Sequence, residues 1–89
     1  MDKTYVYVVT NDWATNGTEE GLVQKAFSTR QKAKKYAQLQ FSSDKEDFLA
    51  TLDEDDVVIE EGKDSLSVYL KNDYASDHSD YTIRKLLIE

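Results

Sequence analysis

Phe27–Phe41 reads FSTRQKAKKYAQLQF, and here the apolar repeat of the chain changes from two residues to a helical period. Ala33, Tyr36, Ala37 and Phe41, with Gln40 beside them, form a narrow apolar stripe. Ser28-Thr29-Arg30-Gln31 fits a capping box, a hydroxyl serving the free amides and a glutamine reaching back, so Ser28 is expected to open the helix. Small alanines on the stripe let such a helix sit close on a sheet. Ser43-Asp44-Lys45-Glu46 is a second box, followed by Phe48, Leu49 and Leu52. The expectation is two helices with a break near Ser42–Ser43; one bent helix is the alternative.

Strands flank this region. Lys3–Thr10 (KTYVYVVT) is β-branched and aromatic, which suits a central strand covered on both faces. Gly21–Phe27 reads as its hairpin partner, across a long loop that carries Trp13 and the turn dipeptide Asn16-Gly17. Downstream, Asp56–Glu61 and Ser65–Lys71 bracket a polar turn at Gly62. In the second of these runs Leu66, Val68 and Leu70 alternate with Ser67, Tyr69 and Lys71, a half-buried strand. Tyr81–Ile88 closes the chain as a fifth strand after a polar loop. The order β-β-α-(α)-β-β-β predicts an α+β two-layer sandwich, a mainly antiparallel sheet of five strands with helix on one face. Residues 1–89 form a single domain, small enough that its core is thin.

The totals narrow the function. There is no cysteine, hence no disulfide, no thiolate metal site and no thiol nucleophile. The apolar run near the start is too short for a signal peptide, and no stretch approaches membrane-spanning length. A cytoplasmic protein without membrane contact is expected. Net charge is −7, and it is unevenly spread: residues 1–43 carry six basic and four acidic side chains, residues 44–89 five and fourteen. So acidic a surface repels phosphate backbones, which argues against direct nucleic-acid binding and favours a basic protein partner.

Catalytic constellations are poor. The single histidine, His78, stands in Ser76-Asp77-His78-Ser79-Asp80. Consecutive loop residues do not converge as a nucleophile, base and orienting acid must. No enzyme is expected. Asp73, Asp77, His78 and Asp80 form an oxygen-rich loop that suits a hard cation, but the glycine and final glutamate of an EF-hand loop are missing, so no metal and no cofactor is assigned. The glycines are isolated and build no phosphate loop. Arg30, Lys32, Lys34 and Lys35 are the one basic cluster; Arg30 and Lys32, in the first helical turn, oppose the dipole.

The acids are the strongest feature. From Asp44 to Glu61 nine of eighteen positions are Asp or Glu: Asp44, Glu46, Asp47, Asp53, Glu54, Asp55, Asp56, Glu60 and Glu61. Mounted on rigid elements, such carboxylates imitate a row of phosphates and engage a basic groove. The competing account is a solvated face that also discourages edge-to-edge sheet association. A second candidate surface is aromatic. Tyr69 points away from the helix if Leu66, Val68 and Leu70 face it, and Tyr5 and Tyr7 could join it on an uncovered sheet face. Self-association as a homodimer would use that face, unless the second helix, Asp44–Leu52, folds over it.

The residues Tyr5–Thr10, Asp12–Trp13, Asn16–Gly17, Phe27–Thr29, Lys32–Ala33 and Tyr36–Ala37 give the first half of the chain a pattern of strand, hairpin, F-S-T cap and K-A-x-x-Y-A helix. This resembles small uncharacterised proteins of Gram-positive bacteria and their phages. The resemblance implies a phage or prophage setting and carries no catalytic residue. The expected function is a non-enzymatic acidic protein-binding module, an inhibitor of a host nucleic-acid-handling protein in its sharpest form.

Overall fold

The computed structural model describes residues 4–15, 17 and 19–88; Lys3 and Asn16, both assigned above, lie outside them. The elements are β1 (Thr4–Thr15), β2 (Glu19–Phe27), α1 (Arg30–Thr51), a single 3-10 turn (Glu54–Asp56), β3 (Val57–Glu61), β4 (Ser65–Leu70) and β5 (His78–Ile88). The five strands form one antiparallel sheet in the order β2-β1-β5-β4-β3, with α1 packed on one face. The α+β two-layer sandwich is therefore present, with one helix rather than two.

The helix runs unbroken through Ser42–Ser43 because its apolar face does. Ala33, Ala37 and Phe41 are buried, and the same side of the helix continues at spacings of three and four to Asp44 and Phe48. Ser43 therefore sits inside the helix and caps nothing. At the start, the cap falls one residue later than Ser28. Thr29 is extended, and its hydroxyl accepts from the Lys32 amide at 3.2 Å. The helix stops where Leu52 turns extended and its N–H reaches back to the Phe48 carbonyl.

The core is small. Val9, Ala33, Ala37, Phe41, Val68 and Tyr81 are buried together, with Tyr7, Phe27, Tyr36, Phe48, Val57, Leu66 and Ile83 around them. Ala33 and Ala37 let the helix backbone lie close on Val9 and Val68. Phe41 meets Tyr81 edge to face, with centroids 6.3 Å apart.

Three expectations about the strands are corrected. The long Trp13 loop is absent: β1 extends through Asp12, Trp13 and Ala14 to Thr15, which pairs with Glu19. Gly21 makes this possible, since a Cβ there would stand only 2.6–2.8 Å from the Trp13 indole. The turn keeps its glycine, Gly17 at φ 67, whose N–H donates to the Ser76 carbonyl. Next, β1 is interior to the sheet but covered on one face only. Third, β5 begins at His78, not Tyr81, because His78 and Ser79 pair with Ala14 and Trp13.

The aromatic face is overturned as well. Pairing places Tyr5, Tyr7 and Val9 on one side of β1, opposite Leu87, Lys85 and Ile83, and Val9 and Ile83 belong to the core under the helix. Tyr5 and Tyr7 thus share the helix side. Tyr69, partner of His78 on β4, lies on the opposite side, as its alternation with Val68 requires. The helix does not cross to cover it.

Candidate functional site

Between the second half of α1 and the β1–β5 ladder lies a cavity of ≈ 550 Å³, within the range of ligand-binding pockets. Trp13, Phe48 and Tyr81 give it aromatic walls; Asn11, Ser79, Asp44, Asp47 and Asp77 give it polar ones. Each side chain is placed by its element. Asn11, Trp13, Ser79 and Tyr81 share the helix side of the sheet by register, Asn11 opposite Tyr81 and Trp13 opposite Ser79. Asp44 is delivered by the helical period that buries Phe41.

Asp44 is therefore not part of an outer acidic row. It is half-buried, and both hydrogen bonds to it end on Oδ2: Ser79 Oγ donates at 2.7 Å and the Tyr81 hydroxyl donates to the same oxygen. Asn11 Nδ2 donates in turn to Ser79 Oγ at 3.0 Å. Among the described residues, Oδ1 takes no donor and no lysine or arginine pairs with the carboxylate. The nearest lysine in sequence, Lys45, holds its ammonium 5.7 Å from the centre of the Phe41 ring instead.

Burial, together with the bond to Asp44, pushes the Tyr81 hydroxyl well above the usual tyrosine range; burial and the bond to Asp80 do the same for Tyr74. Both folded-state values exceed those of the unfolded chain, so the folded form holds these protons more tightly. Their contribution is complete below about pH 10 and drains away as pH rises beyond it. The urea midpoint should hold steady up to about pH 10 and then fall, and Tyr81→Phe should flatten part of that fall. A midpoint that rose above pH 10 would contradict the assignment.

The remaining acids lie outside the cavity. Glu46 and Asp53, Glu54, Asp55 and Asp56 are exposed; Asp47 is exposed at the cavity rim. The 3-10 turn that carries three of them is fixed by backbone bonds, Asp56 N–H to the Asp53 carbonyl at 2.9 Å and Lys71 N–H to the Asp56 carbonyl at 2.7 Å. The acids therefore stand on a held scaffold. Glu60 is separated from this group: it accepts from the Tyr69 hydroxyl on the opposite sheet face. Glu61, on the sheet-edge strand β3, is exposed.

The charges on α1 run against its dipole. Arg30, Lys32, Lys34 and Lys35 occupy its start, which has no acid in the first turn, and no basic residue occupies the last turn. Beyond that turn come Asp53–Asp56. Arg30 is half-buried and paired with Asp64; an exposed first-turn lysine such as Lys32 costs about 0.3–1 kcal/mol. Lys32→Glu would reverse that charge and complete a capping box with Thr29. It should raise stability by about 0.5–1 kcal/mol in urea unfolding; a loss would contradict the cap geometry.

The Asp73–Asp80 loop is held by its own backbone and side-chain bonds. Its backbone closes on itself, Ser76 N–H and Asp77 N–H both reaching the Asp73 carbonyl. His78 is a buried strand residue, not a loop surface. Its Nδ1 lies 2.8 Å from the Tyr74 carbonyl, its Nε2 3.3 Å from Asp12, and its ring stacks on Tyr74 at 4.3 Å. Asp80 accepts from the Tyr74 hydroxyl. Among the described residues no three His, Asp or Glu side chains are grouped to hold a metal ion, and no helix is long and apolar enough to cross a membrane.

Asn11, Trp13, Ser79 and Tyr81 carry no functional signature in the sequence. The one legible sign was Asp44 itself, an acid at core-facing spacing after Phe41. No family model, curated protein or solved structure matches the chain, so functional assignment rests on this geometry.

Proposed function

We propose that the chain is a non-enzymatic binding module that offers its acidic end to a basic surface of a protein partner. The supporting observation is the reversed charge gradient along α1, ending in carboxylates on an anchored 3-10 turn. An arrangement that sets a lysine against the dipole at the start and leaves the last turn without a compensating cation serves something other than the helix. The surface comprises Glu46, Asp47, Asp53, Glu54, Asp55 and Asp56. A protein whose groove ordinarily takes nucleic-acid phosphates has the complementary chemistry, and a phage or prophage inhibitor of a host protein is the sharp form of this reading.

The test is capture on immobilised polylysine with washes of rising salt. Replacing Asp53, Glu54, Asp55 and Asp56 together by their amides should lower the salt needed for release. Equal neutralisation at Glu19, Glu20, Glu61 and Asp73 should lower it much less. Equal loss from both sets would show that net charge alone binds.

One observation favours self-association as a second reading, on a surface different from the tyrosine face. β1 and β5 run past their neighbours, since β2 ends opposite Tyr7 and β4 pairs no further than Thr82. The projecting end exposes Tyr5, Leu86, Leu87 and Ile88. Concentration-dependent sedimentation that Leu87→Lys abolishes would support it; a monomer at all concentrations would exclude it.

A further inference from the structure

We propose that the cavity under α1 is a receptor for an organic cation, the ammonium or guanidinium head of a lysine or arginine side chain. This rests on the reading of the chain as an acidic binding module and assigns that module its central pocket.

Three features of the cavity select a cation. The first is the half-buried Asp44 carboxylate, which has hydroxyl donors on Oδ2 and no cationic partner among the described residues. A carboxylate removed from bulk water without a counter-charge is only partly compensated by neutral donors. The free Oδ1 is the acceptor a charged N–H would use. The second is the aromatic wall of Trp13, Phe48 and Tyr81, whose ring faces attract cations and whose area accepts an aliphatic stem. The third is the mouth, where Asp47 is exposed, so the field at the entrance has the same sign as the field inside.

An anion is repelled by the same groups. A neutral apolar ligand would leave the Asp44 carboxylate desolvated and unmatched. A long basic side chain meets all three conditions. The cavity also adjoins the 3-10 turn that follows Leu52, so a partner reaching it by one side chain lays its remaining basic groups across Asp53–Asp56.

Trp13 is the single tryptophan of the chain and stands in the cavity wall, so its fluorescence reports occupancy. The experiment titrates the protein with n-butylammonium, n-butylguanidinium and the neutral n-butanol. The two cations should change the fluorescence saturably, at concentrations at least about tenfold below any effect of the alcohol. Asp44→Asn keeps a carbonyl for the Ser79 and Tyr81 hydroxyls; with its circular dichroism and unfolding cooperativity retained, it should weaken cation binding about tenfold. Asp73→Asn, outside the cavity, should leave binding unchanged. Alcohol binding equal to the cations, an unaltered Asp44→Asn titration, or no saturable change would each overturn the proposal.

Failure here is separable from failure of the module reading. Polylysine capture that survives Asp44→Asn but not neutralisation of Asp53–Asp56 overturns the pocket and upholds the acidic surface. Cation titration that depends on Asp44, with capture indifferent to Asp53–Asp56, does the reverse.

Discussion

Replacing Phe41 by alanine is expected to destabilise the domain by about 3–5 kcal/mol, the largest effect of any single truncation here. Phe41 is 2% exposed and is the one large helix side chain in the buried cluster. The other helix residues there, Ala33 and Ala37, have no side-chain bulk to close over a void. Tyr81 cannot follow, because its hydroxyl is tied to Asp44. The void would therefore persist, and void volume sets the cost. A domain of this size holds only about 5–15 kcal/mol in all, so the variant should be substantially unfolded at moderate temperature. Urea or thermal unfolding measures it. A loss below about 1 kcal/mol would mean that the helix is not seated through Phe41.

Asp44→Ala ranks second. It removes a charged acceptor from two hydroxyls, and hydrogen bonds to charged groups contribute about 1.5–3 kcal/mol each. Ser79 and Tyr81 are both buried, but the cavity beside them admits water that can take over part of the bonding. The expected loss is about 2–3 kcal/mol, against about 1 kcal/mol for Asp44→Asn, which keeps an acceptor in place. The double variant Asp44→Ala with Tyr81→Phe should cost less than the sum of its parts, because the second change removes a donor already stranded. Full additivity would place Tyr81 outside the network. A gain in stability for Asp44→Ala would mark the carboxylate as a group strained for function.

The arrangement of the core strand was legible in advance, and that of the site was not. Alternation in Ser65–Leu70 correctly put Leu66 and Val68 toward the helix and Tyr69 away from it, because a period of two depends only on local backbone. Relating that side to β1 requires the pairing through β5, which no local pattern shows. Local alternation alone therefore puts Tyr5 and Tyr7 on the wrong side. The helix break failed for a related reason. Ser42 and Ser43 are weak helix formers whose capping signature is local, whereas the burial of Phe41, Asp44 and Phe48 on one face is tertiary and outweighed it.

Polar residues misled most. NDWAT and DHSD carry turn chemistry, yet Asn11–Thr15 and His78–Asp80 pair within long strands. Gly21 admits Trp13 there, and His78 gains Asp12, the Tyr74 carbonyl and the Tyr74 ring. The acidic run likewise reads as one surface in sequence. In space it divides into a carboxylate inside a cavity, a group at the helix exit, and Glu60 and Glu61 on β3. Charge counts do not reveal such a division; it follows from which acids fall on the buried side of an element.

The most direct measurement is the map of amide and Trp13 indole chemical shifts on adding a short oligolysine peptide. The account predicts shifts concentrated in residues 44–56, at Trp13 and at Ser79, fading together as salt is raised. Shifts centred on Thr10, Thr82 and Arg84 of the uncovered sheet face, or shifts indifferent to salt, would contradict it.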